Sequence, residues 1–218
     1  MSNELIIPDL HSPFIKKGFL NHCKRVYRKY SCTSVRCTGD IMDNHASSFH
    51  TSCPDGSSAI DEFKKTLRVL KVWYKDFPKM KITVGNHDLI PSRKTFEGGV
   101  SKIWVKTIEE VMHEHGFKGW QFAEEYYENG ILYIHGDGGQ AHIRMHDEGC
   151  SVVQGHWHSK SKIEFKVTPH NILFSLQLGC GIDRKAYAMA YAKHHKKQQI
   201  NCGVIIDNRI PIIEPMRM

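Results

Sequence analysis

Five short apolar runs in this chain end alike, each giving way within a few residues to aspartate, asparagine or histidine. L-I-I-P (5–8) leads to Asp9 and His11, and S-V-R-C-T (34–38) to Asp40 and Asp43 in G-D-I-M-D. K-I-T-V (81–84) leads to Asn86, His87 and Asp88 in G-N-H-D, I-L-Y-I (131–134) to His135, and C-S-V-V-Q (150–154) to His156 and His158 in G-H-W-H. Short apolar runs bounded by turn residues read as buried strands. Where sheets are covered by helices, ligands bind beyond the carboxyl ends of the strands, so the polar residues are placed to converge. Alternate side chains of an extended segment share a face, which lets His156 and His158 meet one object. Glycine touches the polar residue in four of the five motifs, allowing sharp turns and close backbone approach.

Helical patterns separate the early runs. Ser12 and Pro13 predict a helix start, with Phe14, Leu20, Cys23, Val26, Tyr27 and Tyr30 as much of the apolar stripe of a helix over 13–30. Ser58 opens a second helix with a variant capping box, S-A-I-D, and Ile60, Phe63, Leu67, Leu70, Trp73 or Tyr74, and Phe77 form its buried side before Pro78 stops it. A third helix is expected over 100–115, closed by Gly116. From Gln121 onward the pattern is strand-like, with a hairpin turn at Asn129-Gly130 and later runs K-I-E-F-K-V, I-L-F-S-L-Q-L and C-G-V-I-I-D. Helices between early strands and hairpins afterwards predict an α/β fold with a mixed sheet or two packed sheets flanked by helices. Without repeat or linker, residues 1–218 are expected to form a single domain.

Composition narrows the function classes. No apolar stretch approaches the roughly 20 residues of a membrane-spanning helix, and the start M-S-N-E-L-I-I-P-D lacks the features of a secretory signal, so a soluble cytoplasmic protein is expected. Seven cysteines without a C-x-x-C pair point to free thiols in a reducing compartment. A formal charge of +7 suits a phosphate-bearing partner, yet no arginine block or aromatic-spaced basic motif stands out. K-H-H-K-K at 193–197 reads as a solvated face near a helix end. H-E-H at 113–115 lacks the i, i+4 histidine spacing of a helical zinc site and reads as a solvated helix end.

The strand-end residues form a mixed oxygen and imidazole set, suited to first-row divalent ions such as manganese, iron or zinc. Asp9, His11, Asp40, Asn86, His135, His156 and His158 are too many donors for one tetrahedral zinc with an open position, so more than one ion is expected, with the two oxygens of Asp40 able to bridge. Two ions roughly 3.5–4 Å apart are the arrangement used for in-line displacement at phosphorus.

The ordered series D-x-H, G-D-x-x-D, G-N-H-D, H-G and G-H-x-H resembles the calcineurin-like metallophosphoesterase superfamily, over about two thirds of the chain, from Asp9 to His158. The resemblance implies a two-sheet β-sandwich flanked by helices, in four layers α/β/β/α. It implies two divalent ions, manganese first, with iron, zinc, nickel or cobalt as alternatives. Asp9, His11 and His158 would hold one ion, Asn86, His135 and His156 the other, and Asp40 would bridge them. His87 would face the scissile phosphate and assist the leaving oxygen, Asp88 would orient or acidify His87, and Asp43 would hold the loop that presents Asp40. The expected reaction is hydrolysis of a phosphodiester or phosphomonoester, a nucleotide or other small phosphoester, by a hydroxide shared between the ions. A metal-dependent nuclease on DNA or RNA and a non-catalytic metal-binding scaffold are the alternatives.

The chain departs from the protein serine/threonine phosphatases of that superfamily. Asn44 stands where their second motif has arginine and Asp88 where their third has glutamate, and the missing arginine removes a bidentate phosphate clamp. His45 and His50, in the polar loop after the second motif, are expected to be unrelated to substrate, and Trp157 to pack against the sheet. His142, Arg144 and His146 are within sequence reach of the fourth motif and are candidates to meet a phosphate.

Overall fold

The early strand runs pair as one sheet. In the computed structural model, which describes residues 2–49, 53–187 and 197–217, β1 (Asn3–Ile7), β2 (Ser34–Cys37), β3 (Met80–Thr83) and β4 (Trp120–Ala123) run parallel to one another. β10 (Asn201–Ile206) and β11 (Ile210–Pro215) extend this sheet antiparallel beyond β1, giving the order β11-β10-β1-β2-β3-β4. The second sheet has the order β5-β6-β7-β9-β8, from β5 (Glu125–Glu128), β6 (Ile131–Ile134), β7 (Ser151–Gln154), β8 (Lys162–Val167) and β9 (Ile172–Gln177). His50 and most of K-H-H-K-K lie outside the described residues.

Side-chain alternation assigns the layers. Leu5 and Ile7 point from β1 into a cluster with Cys23 and Val26 of α1 (Phe19–Lys29), Leu70 and Trp73 of α2 (Ala59–Asp76) and Met112 of α4 (Ile108–Glu114). Ile6, between them, points the other way and meets Tyr133, Val153, Phe174 and Leu176 of the second sheet. In that sheet Leu132, Ile134 and Val152 face Ala141 and Met145 of α5 (Ala141–Glu148). Both faces of each central strand are therefore buried, and the molecule is an α/β/β/α sandwich. Each such aliphatic side chain contributes about 1.5–3 kcal/mol when taken fully from water. Arg36, 3% exposed, ties the sheets together at the end away from the strand carboxyl termini: it pairs with Glu4 of β1 and Glu128 of β5 and stacks 3.7 Å above the Tyr133 ring. Among the described residues no helix is long and apolar enough to cross a membrane.

Several elements differ from the sequence expectation, each for a local reason. The first helix begins at Phe19, after Gly18 at φ 86°, because Ser12 to Lys16 are held elsewhere: Ser12 N–H donates to Ile41 O, Asp43 N–H to Ser12 O, and Lys16 N–H to Gly181 O. The helix expected over 100–115 is a short 3₁₀ turn, Lys102–Trp104, followed by α4, whose start is fixed by a reciprocal capping box between Thr107 and Glu110. α3 (Ile90–Glu97), α5 and β11 were not expected. Q-F-A-E-E-Y-Y-E, one run in sequence, breaks at Glu124, its first half joining the first sheet and its second half the other. Asn129 and Gly130 have φ of 54° and 76°, the left-handed pair that a two-residue hairpin turn needs. Ile60, expected on the buried side of α2, is exposed. Ser58 does cap α2, its side chain accepting from Asp61 N–H.

Candidate metal centre

β1, β2 and β3 of one sheet and β6 and β7 of the other end on the same side of the sandwich, and the five polar motifs meet there. Asn86 Oδ1 lies 2.9 Å from His135 Nε2 and 3.0 Å from His156 Nδ1, and those two nitrogens are 3.2 Å apart. A second group forms beside it, with His158 Nε2 3.0 Å from His11 Nε2 and 3.3 Å from Asp9 Oδ2. Asp40 Oδ2 stands between the groups, 3.3 Å from His135 Nε2 and 3.6 Å from His11 Nε2. Neighbouring ligands of one ion at bonds of about 2.1 Å are separated by about 3 Å, the spacing within each group. Asp9, His11, Asp40 and His158 each bring one donor atom within 4.8 Å of one another.

The hydrogen bonds fix which atoms carry lone pairs into this space. His135 Nδ1 donates to Thr38 O at 2.8 Å, leaving Nε2 without a proton in the neutral ring. His11 Nδ1 donates to Asp43 Oδ1 at 2.6 Å, leaving Nε2 likewise bare. Bare nitrogens and carboxylate oxygens thus face one another, an arrangement that calls for a cation among them. Burial disfavours charge on His135, yet Asp40 and Asp9 beside it raise its pKa to about 10. Burial also works against ionising Asp40, but His135 holds it well below the usual carboxylate range. A proton and a metal ion are alternative occupants of such a site. The donor set, imidazole nitrogens turned outward by carbonyl and carboxylate partners on their other nitrogen, fits the metal.

Backbone strain and missing side chains make the convergence possible. His11, Asp40 and His156 have φ of 49°, 44° and 67°, the left-handed region that costs a residue with a Cβ roughly 1–2 kcal/mol. Leu10 and His11 N–H both donate to Asp40 O, and His156 N–H donates to Asp9 Oδ2 at 2.7 Å, which holds these turns. A Cβ on Gly85 would collide with Asp40 Oδ1, and one on Gly155 with Asp9 Oδ1 and Thr38 Oγ1. These motif glycines make room for the carboxylates of a neighbouring loop.

His87 sits next to this cluster without joining either group. Its Nδ1 donates to Asp43 O at 2.7 Å, its ring stands edge-on to His11 with centroids 4.6 Å apart, and its backbone N–H donates to Asp40 Oδ1. Burial lowers its basicity, but Asp40 and Asp43 more than offset this, and its pKa is raised. Asp88 is held by backbone groups and bears on His87 through its charge. Its carboxylate accepts from Gly85 N–H and Met42 N–H, locking the third motif to the second, while the group that orients His87 is Asp43. Burial and Asp40 push the Asp88 carboxyl up to about 7. Asn44, in the place of the absent arginine, donates to His87 O.

Thr38 was not singled out in sequence, although it bonds Asp9 through its hydroxyl and His135 through its carbonyl; its place just before Gly39-Asp40 was the available signal. His45 is buried and accepts from Cys53 N–H, serving the loop and not the cluster. Trp157 donates to Gly139 O and lies against His156, walling the site on the β6–α5 side. His142 pairs with Glu164 and Arg144 with Glu148, so neither points a free cation at the cluster. His113 bonds Trp120 O. All seven cysteines are free.

No protein-family model and no curated protein matches the sequence. Among solved structures the chain is similar to vacuolar protein sorting 29 from Cryptosporidium parvum, at 13% identity and a TM-score of 0.49 over 100% of this chain and 98% of that one. It is also similar to the phosphoesterase YfcE from E. coli, at 9% identity and a TM-score of 0.45 over 94% and 88% of the two chains. A third is the nuclease MPE from Pseudomonas putida, at 12% identity and a TM-score of 0.42 over 84% and 76%. Identities this low leave residue roles to the geometry of this chain, which resembles the calcineurin-like metallophosphoesterases in its ordered motifs and its two-sheet architecture.

Proposed function

We propose that the chain is a two-metal phosphoesterase. The observation that carries this reading is the pair of donor groups about Asp40, with a histidine alongside that belongs to neither. Asp9, His11, His158 and Asp40 would hold one divalent ion, and Asn86, His135, His156 and Asp40 the other, manganese being the first choice for this oxygen and imidazole set. Bound there, such ions would lower the pKa of water towards about 7 and neutralise phosphate oxygens.

The chain's own residues supply the rest. His87 keeps Nδ1 on Asp43 O, which leaves Nε2 as the nitrogen that can give a proton to a departing oxygen. Asp43 joins His87 to His11 and so couples the acid to the donor group of Asp9, His11 and His158. Asp88, held by two backbone N–H groups, fixes the turn on which Asn86 and His87 sit. No serine or cysteine nucleophile is needed. The test is hydrolysis of bis(p-nitrophenyl) phosphate and p-nitrophenyl phosphate by metal-stripped protein with and without added manganese. Metal-dependent turnover of either ester is expected. Metal binding without turnover of either would favour the scaffold alternative.

A further inference from the structure

The segment that leaves His87 carries a surface the proposed chemistry does not use. α3 starts three residues after His87, and the 3₁₀ turn Lys102–Trp104 follows it. Trp104 is 81% exposed, Ile103 83% and Phe96 64%, a concentration of bare apolar area unusual on a polar surface. Cations are interleaved with these rings. Arg93 lies 4.9 Å and Lys94 5.1 Å from the centre of the Phe49 ring, and Lys102 lies 6.0 Å from that of Phe96. Residues 89–106 contain four cations against the single acid Glu97. Among the described residues none of Arg93, Lys94 or Lys102 forms an ion pair. A groove of about 580 Å³ is lined by Asn44, Leu89, Pro91, Lys102 and Val105 of this region.

Exposed aromatic faces beside unpaired cations are what single-stranded nucleic acid requires, because unpaired bases stack on the rings while the cations meet the phosphates. Two copies of this chain would be a poor occupant. A two-fold contact brings a surface against itself, which here sets Arg93, Lys94 and Lys102 against like charges. A mononucleotide is too small, since the eight residues of α3 span about 12 Å, several stacking intervals of about 3.4 Å. We propose that the α3 surface, with Phe49 and Trp104, binds single-stranded DNA or RNA and leads its backbone to the His87 end of the site. The proposal rests on the phosphoesterase reading for its catalytic consequence and on the surface alone for its binding.

The test measures anisotropy of dye-labelled oligo(dT) and oligo(U) in EDTA, with chromogenic diester hydrolysis assayed separately in manganese. Trp104→Ala and Phe96→Ala are expected to weaken oligonucleotide binding about tenfold or more while leaving diester turnover unchanged. Trp104→Phe, which keeps a stacking face, should retain most of the affinity and controls for folding. Arg93→Ala with Lys94→Ala should weaken binding and flatten its salt dependence. Wild-type affinity in Trp104→Ala would overturn the proposal, as would a change in self-association with no change in oligonucleotide binding. Diester hydrolysis without oligonucleotide binding sinks the platform and spares the phosphoesterase. Binding that Trp104→Ala destroys, in a protein that cleaves no ester, does the reverse.

Discussion

On the phosphoesterase reading proposed above, His87 is the residue at which catalysis and metal binding would separate. Its ring is oriented by Asp43 O and belongs to neither donor group. His87→Ala should therefore keep its metal content and lose turnover by about 10²–10⁴-fold on esters with alkoxide leaving groups. The loss should be smaller for p-nitrophenolate, which departs without needing a proton. Steady-state kcat on both ester types, with metal analysis of the same sample, checks this. Gly155 makes the complementary point. A Cβ there meets the Asp9 carboxylate, so Gly155→Ala should weaken divalent-ion affinity about 10–100-fold, the scale seen when the support of a ligand is disturbed. Isothermal titration with manganese reads that change directly. The residue types of the cluster were legible in sequence because metal-binding chemistry allows few of them and strand ends put them together. The task of orienting His87 was not legible. The Asp43 carbonyl accepts from the ring while Asp88 bears on it through its charge, and loop contacts of that kind leave no periodic trace.

At the scale of elements, legibility followed the number of core positions each segment contributes. β1 buries Leu5, Ile6 and Ile7 and α2 is capped and stopped by strong local signals, so both are readable. α5 buries only Ala141 and Met145, and α3 only Ile90, so their polar sequences show no helical stripe. β11 contains Pro211 and Pro215, which argue against a central strand, and it is an edge strand, where proline is tolerated. The basic and aromatic surface near α3 is not legible in sequence, since Phe49 comes to Arg93 and Lys94 from a different loop. α4 offers a test of local encoding. Thr107→Ala removes the side-chain half of its capping box and should cost about 1 kcal/mol in urea unfolding, while Thr107→Ser should cost little.

At the scale of the whole molecule, neither sheet owns a complete donor group. The first combines Asp9 and His11, which follow β1, with His158, which follows β7; the second combines Asn86, after β3, with His135 and His156, after β6 and β7. Both groups exist only when the sandwich is packed, and the buried Arg36 pairings with Glu4 and Glu128 join the sheets at the opposite end. Asp40 Oδ2 stands between the His11 and His135 Nε2 atoms of the two groups, which makes it an informative position in the chain. The decisive measurement is therefore the number of metal ions per chain, by inductively coupled plasma mass spectrometry after loading with manganese and removal of excess, in wild type and Asp40→Ala, with circular dichroism of each. Two ions are expected in the wild type and at most one in Asp40→Ala, with unchanged dichroism. A wild-type chain that retains no ion, or an Asp40→Ala chain that still holds two, would contradict the two-metal reading.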